Sequence, residues 1–265
     1  MTDWTLPGAD KERVQVLRLK NEDGSTTTFV LFILIGAIFL SFVFLDFFST
    51  FANKRISQSG ADAGALAAAR EAKLAYEEEL RIEILDELGN LEEEIDEELE
   101  RRIEELLEQN EEVENEDEEA EEIEIDEDEI REEIISDWGI PDTIVERLDN
   151  LSAELEFEEA AAFFFHNDDV IITQIMCRGI NNRWNDIDSA AKYYAEKNGA
   201  VNDAEDDIVV RFPYNDEFKI QVYTKRNPAY ITVDSGNLEN NNVYAQAASS
   251  VSLLDGFSFV VSACH

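Results

Sequence analysis

The stretch from Phe29 to Leu45 is apolar at every position except Ser41, and Phe47, Phe48 and Phe51 prolong it. About 20 consecutive apolar residues suffice for a helix to cross the ~30 Å hydrocarbon layer of a bilayer. In lipid a single segment satisfies its backbone groups only as a helix. The run therefore predicts one transmembrane helix, and the rest of the chain must be arranged around it. A cleaved secretory signal is the rival reading, but signal cores span about 7 to 15 residues and end in a small-residue cleavage site. Here the run is longer, Lys54-Arg55 follows it, and no A-x-A-like site occurs before Ala61, Ala63 and Ala65.

Positive charge orients the span. Lys11, Arg13, Arg18 and Lys20 precede it, whereas Lys54 and Arg55 follow it and are soon diluted by acids. The basic excess places the short N-terminus in the cytoplasm and the long remainder outside, as a single-pass protein of the cell membrane. Asp46 is the odd residue in the run. A carboxyl costs about 2.5 to 3.5 kcal/mol at mid-membrane and much less near the interface. Its place close to the outer end fits an interfacial carboxyl, and a polar contact with a partner helix is the other reading.

Beyond the span, Ala61 to Leu74 has the composition of a strong helix former. Gly60, Ala61, Gly64, Ala65 and Ala68 recur at three- and four-residue steps and form a smooth stripe. Such a stripe lets another helix approach closely. Either a second protein or the chain's own distal module can supply that neighbour.

Taken in order, Leu45-Asp46-Phe47, Lys54-Arg55-Ile56-Ser57-Gln58 and the run Ala61-Asp62-Ala63-Gly64-Ala65-Leu66-Ala67-Ala68-Ala69 form a recognisable series. It resembles the N-terminal signature of TadE/TadG-like proteins of Flp (tight adherence) pilus assembly. The resemblance covers roughly residues 1–75 and loosens in the distal region from Ser189. It implies a membrane-anchored structural or assembly component, minor pilin-like, of a Flp/Tad-type pilus or related secretion apparatus. Its partners would be other pilus-assembly membrane proteins and the lipid bilayer, with Asp46, Gly60, Ala61, Gly64 and Ala68 as helix-contact residues and no catalysis. It also makes Gly24 a candidate leader-processing site, with Ser25 as the new first residue. Phe29 stands where such leaders usually carry a Glu, and the other reading of Gly24 is simply the start of the membrane helix.

The chain carries 62 acidic and 21 basic residues, a formal net charge of −41. Phosphates would be repelled, which excludes nucleic acid as a partner. The acids concentrate between Glu77 and Glu133, but Leu85, Leu88, Leu91, Ile95, Leu99, Ile103 and Leu106 run through them at helical spacing. Like charges flanking this stripe disfavour self-association and point to intramolecular packing or a solvated stalk. Gly89-Asn90 marks a kink or break in it. Asn110 to Asp128 reads as a disordered acidic linker. No D-x-[DN]-x-[DN]-G loop occurs, so only weak, non-specific divalent-cation binding is expected, and no cofactor.

Farther on, Ile134, Ile135, Trp138, Ile140, Ile144, Leu148, Leu151 and Leu155 predict two helices split by Gly139-Ile140-Pro141, with Ala160 to Phe165 continuing the second or leading out of it. Asp169 to Met176 reads as a buried strand. Asn185 to Asp188 caps a helix through Lys197, ended by Asn198-Gly199. Strands follow at Asp207–Phe212, Phe218–Thr224, Tyr230–Val233 and Val243–Leu253, with Phe257–Val261 as a last one. Pro213 to Asp216 turns the first two into a hairpin. The expectation is an α+β protein with a distal antiparallel sheet. It divides into a tail or leader (1–24), the transmembrane helix and its extension (25–75), an acidic helical and disordered linker (76–129) and an extracytoplasmic domain (130–265).

Motifs for catalysis are missing from the sequence: there is no H-x-x-x-H, C-x-x-C, G-x-S-x-G, Walker A or G-x-G-x-x-G pattern. Cys177 and Cys264 fall on the outer side, where disulfides persist, and are read either as one bridge or as two thiols. Cys177 with His166 is the one nucleophilic pairing left open. A second functional reading is a membrane-tethered extracytoplasmic binding or sensor domain on an acidic stalk. Binding of a defined soluble ligand by region 130–265 would distinguish it from an assembly role.

Overall fold

The computed structural model describes residues 10–116, 125–201, 203–204, 206–226 and 242–264. Its axis is α1, a helix of 107 residues from Asp10 to Glu116. At 1.5 Å per residue such a helix is roughly 160 Å long. Its N-terminal part is long and apolar enough to cross a membrane and is covered by nothing else among the described residues. Phe29, Phe39 and Phe48, for instance, are 66%, 66% and 72% exposed.

From Ser57 onward the same helix becomes the spine of a folded module. One of its faces carries Ala61, Ala65, Ala68, Ala72, Tyr76, Leu80, Ile84, Leu88, Leu91 and Ile95, all buried. The spacing of three and four residues holds throughout, which is why a single continuous helix can serve both as core element and as stalk. The helix runs through Gly89-Asn90 without interruption, against the expected break. Nothing approaches Gly89, so helix propensity alone is at stake there and the neighbouring turns carry it. The stripe also differs slightly from the expected one. Leu85 is exposed, whereas Leu80 and Ile84 fill the core.

Around this spine sit α2 (Glu127–Trp138), α3 (Asp142–Asp149), α4 (Phe157–Phe164), α5 (Asp169–Asn182) and α6 (Trp184–Lys197). Of the stretch expected to be disordered, Asn110 to Asp128, residues 110–116 belong to α1 and Glu127 and Asp128 to α2, while 117–124 lie outside the described residues. Asp126 caps α2 by accepting from the Asp128 and Glu129 amides, and Gly139 in the left-handed region closes it. Pro141 stands at the N-cap of α3. That helix stops at Asp149, so α4 is a separate element and not its continuation.

The expected strand at 169–176 is a correction: these residues open α5. Its β-branched content suggested a sheet, but the buried positions Ile172, Ile175, Met176, Gly179 and Ile180 follow helical spacing. The Asp168 carboxylate accepts from the Val170 and Ile171 amides and starts the helix. The α6 helix begins one residue before the expected cap and ends at Lys197, with Asn198-Gly199 behind it.

Three antiparallel strands, in the order β1-β2-β3, complete the α+β fold: β1 (Ile208–Arg211), β2 (Lys219–Arg226) and β3 (Val243–Ser250). Ile208 pairs with Thr224 and Lys219 with Ser250, which fixes the register of both pairs. Ile220, Val222 and Thr224 alternate inward and are fully buried. The expected strand at Tyr230–Val233 lies outside the described residues. Phe257–Val261 is not a strand. It lies along α5 instead, where the Ser258 amide donates to Asp169 and the Val260 amide to the Thr173 hydroxyl. A 3-10 turn, Val261–Cys264, follows.

Candidate functional site

The part of the molecule with the most specific construction is the junction where α1 leaves its apolar stretch and enters the module. Asp46 is only 9% exposed, although Leu45, Phe47 and Phe48 on either side are open. Its residue is thus enclosed by the protein and not turned outward with the phenylalanines. About three turns later, Ser57 is fully buried and its hydroxyl lies 2.7 Å from that of Thr224 on β2. The Thr224 hydroxyl also reaches the Ser57 carbonyl at 3.1 Å. Gln58 donates to the Gln246 carbonyl on β3 at 3.0 Å and to Asp62 at 3.0 Å. The sheet is therefore pinned to α1 by side chains within one turn of one another.

The small-residue stripe completes this attachment. A side chain added at Gly60 would stand 2.9 Å from Ala200 and 3.1 Å from the Ala195 carbonyl. One at Gly64 would meet the Ala191 carbonyl at 3.0 Å and Val222 at 3.2 Å. Ala61 and Ala68 are fully buried beside them. Of the two neighbours the sequence left open for this stripe, the structure places the chain's own α6 and β2 against it. Close backbone approach of this kind is what glycine and alanine permit.

Higher on the helix, α5 crosses α1 at Gly179, whose missing side chain would fall 2.8 Å from the Ala75 carbonyl and 2.9 Å from the Tyr76 Cα. Tyr76 donates to the Ser252 carbonyl at 2.5 Å and stacks edge-on against Phe218. Burial, reinforced by Glu77 and Glu158, pushes its phenol well above the ordinary range, so it stays a donor. Arg178 bridges α5 to Glu79 at 2.6 Å and to Glu83, and Arg183 reaches Glu71 at 3.3 Å. At the sheet's edge Asp207 accepts from the Ala204 and Asp203 amides and pairs with Lys225. Burial opposes its charge, but the Ala204 amide, the Lys225 ammonium and the Asp203 amide outweigh it and hold the carboxyl below its usual range.

Cys177 on α5 and Cys264 in the terminal turn are joined in a disulfide, with their Cα atoms 5.4 Å apart. A bonded sulfur is no nucleophile, so the pairing of Cys177 with His166 has no thiolate to work with. Among the described residues, no three His, Cys, Asp or Glu side chains converge in a way that could hold a metal ion. What the junction can do is mechanical: it fixes a folded module rigidly to a helix that continues into an apolar span. Gly24 and Ser25 lie within α1, which starts upstream of them. Ser57 and Gln58 stood out from sequence only as part of the family-like series, with no contact assigned to them, and Gly179 was not singled out. Ser57 was within reach, because it precedes Ala61 by four residues on the same stripe.

Residues 24–71 match the model of a family described as putative Flp pilus-assembly, TadE/G-like. The matched segment takes in the apolar span, Asp46 and the small-residue stripe, and stops just before the stretch buried by α5. No curated protein and no solved structure matches the chain.

Proposed function

We propose that this protein is a membrane-anchored structural or assembly component of a Flp/Tad-type pilus or a related secretion apparatus, minor pilin-like in role. The observation that carries the reading is the coincidence of the family match with one continuous helix. The matched residues form both the membrane-length apolar segment and the stripe that seats the module. The short N-terminus lies in the cytoplasm and the module outside, seated directly beyond the apolar span, with the acidic part of α1 running on through it away from the bilayer. Its action is non-covalent: the anchor packs among other pilus-assembly membrane proteins, and the module presents a surface at a fixed distance and orientation.

The test is to recover the protein from the membranes of cells that make it, determine its mass and N-terminal sequence, and identify what co-purifies. Retention in the membrane together with pilus-assembly proteins is the expected result. A new N-terminus at Ser25 would assign it to the filament, and an intact one to the assembly machinery. Cleavage beyond Ala61, or recovery free of any pilus component, overturns the proposal.

A further inference from the structure

A cavity of about 610 Å³ opens between α1, α3 and the connection into α4. It lies far from the apolar span: Phe51 to Arg81 is 30 residues of α1, or roughly 45 Å of helix. Arg81, Leu85, Thr143, Arg147, Leu155 and Phe157 form its wall. Two arginines therefore line one cavity in a chain that has 62 acids to 21 bases.

Both arginines are held in position, and neither is neutralised. Arg81 lies over the Phe157 ring, 4.8 Å from its centre. Arg147 donates through Nη1 to the Ala153 carbonyl at 3.2 Å. Its Nε is buried and has no hydrogen-bond partner. Neither side chain is in an ion pair among the described residues, although Glu146, Glu154 and Glu156 line the same cavity. A buried donor left unmade costs about 1–3 kcal/mol, and a planar guanidinium is best satisfied by a carboxylate gripped through two N–H groups. Leu85, Leu155 and the Phe157 ring supply an apolar surface next to it, the usual mixture for a small-ligand pocket of this size. Glu146, Glu154 and Glu156 also border the cavity, so its total charge opposes any anion and a dianion such as phosphate about twice as strongly as a monocarboxylate, which must be held by the arginines locally.

We propose that this cavity binds a small monocarboxylate with an apolar body, either a free molecule or the carboxyl terminus of a peptide. The site does not depend on the assembly role and adds a binding function to it.

The experiment is equilibrium dialysis of the full chain in lipid nanodiscs against N-acetyl-phenylalanine, N-acetyl-phenylalaninamide and a tetrapeptide ending in phenylalanine with a free carboxylate. Saturable binding of the acid at one per chain is expected, with the amide weaker by on the order of tenfold or more. Arg81→Gln alters an exposed helix position and leaves folding intact, yet should weaken the acid by about tenfold. Arg147→Gln should abolish the preference for acid over amide. Tighter binding of the peptide assigns the site to chain termini, and equal binding assigns it to free carboxylates. Absence of saturable binding, equal affinity for acid and amide, or an Arg81→Gln protein that binds like its parent overturns the proposal.

Discussion

Two glycines in helical conformation give the fold its sharpest test, because the same substitution should change stability in opposite directions. A Cβ at Gly89 would meet nothing within 4 Å. Alanine there gains only helix propensity, a stabilisation of about 1 kcal/mol. At Gly179 the added carbon would stand 2.8 Å from the Ala75 carbonyl, 2.8 Å from the Glu79 Cβ and 2.9 Å from the Tyr76 Cα. Two of these are backbone atoms that cannot rotate away, so α5 must retreat from α1 by roughly half an ångström along a closely packed crossing. Overpacking of this kind costs about 1–3 kcal/mol, against which the propensity gain recovers about 1. Gly179→Ala should therefore destabilise by up to about 2 kcal/mol, and the two variants should differ by about 1–3. Urea titration of the full chain in nanodiscs, read from Trp138 and Trp184 fluorescence at constant m-value, measures both. If Gly179→Ala stabilised as much as Gly89→Ala, the close crossing of α5 over α1 would be wrong. If Gly89→Ala destabilised, the helix would be interrupted there after all.

Other outcomes follow from single contacts. Cys177 and Cys264 are 87 residues apart in sequence. Closing a loop of that length removes about 4–5 kcal/mol of unfolded-state entropy on the chain-entropy model, so Cys264→Ser should lower stability by about 2–5 kcal/mol in the same titration. Thr224→Val strands the buried Ser57 hydroxyl and should cost about 1–3 kcal/mol, whereas Ser57→Ala with Thr224→Val should cost less than the two single changes summed. Hydrogen bonds from Arg101 and Arg102 hold the Glu98 carboxyl down at about 2, from an ordinary 4.5. Its contribution to stability is therefore complete above the ordinary glutamate range and is lost as pH falls through about 2. Asp207, also depressed, follows the same sign, and carboxyl-carbon NMR titration that returned ordinary midpoints for both would refute these pairings. With a net charge of −41, moving from about 0.01 M to 0.15 M salt shortens the Debye length from about 30 to 8 Å and should raise the urea midpoint; an unchanged or lower midpoint would remove self-repulsion as a factor.

The apolar span, the helical stripe through the acids and the β1–β2 hairpin were legible because each rests on local periodicity or turn chemistry. The α5 helix was not. Val170, Ile171, Ile172 and Ile175 carry strand-like composition, and only burial on two elements at once reveals the helical spacing that Asp168 starts. Gly89-Asn90 failed as a break for the complementary reason: a glycine costs a long helix about 1 kcal/mol, which the packed turns on both sides exceed. At the junction, Gly60 and Gly64 could be read as a contact stripe, but the identity of the neighbour could not. It comes from residues more than 120 positions away, Ala191, Ala195, Ala200 and Val222, and no local pattern encodes that pairing. The same holds for Cys177 and Cys264, whose separation in space is a property of how the terminal segment lies along α5.

The placement of the few bases explains how so acidic a chain keeps one module packed on one continuous helix. Arg178 and Arg183 join the α5–α6 region to Glu71, Glu79 and Glu83 of α1, and Arg102 joins α1 to Glu133 and Asp137 of α2. Individually such partly exposed pairs are worth little, typically under about 1 kcal/mol. Their placement matters more than their strength, because each sets a positive charge between two elements whose acids would otherwise repel across the contact. The side of α1 without these arginines keeps its carboxylates in water and holds the helix away from like-charged surfaces. Charge therefore works in the same direction as the apolar stripe: it closes the module on one face of α1 and leaves the other extended.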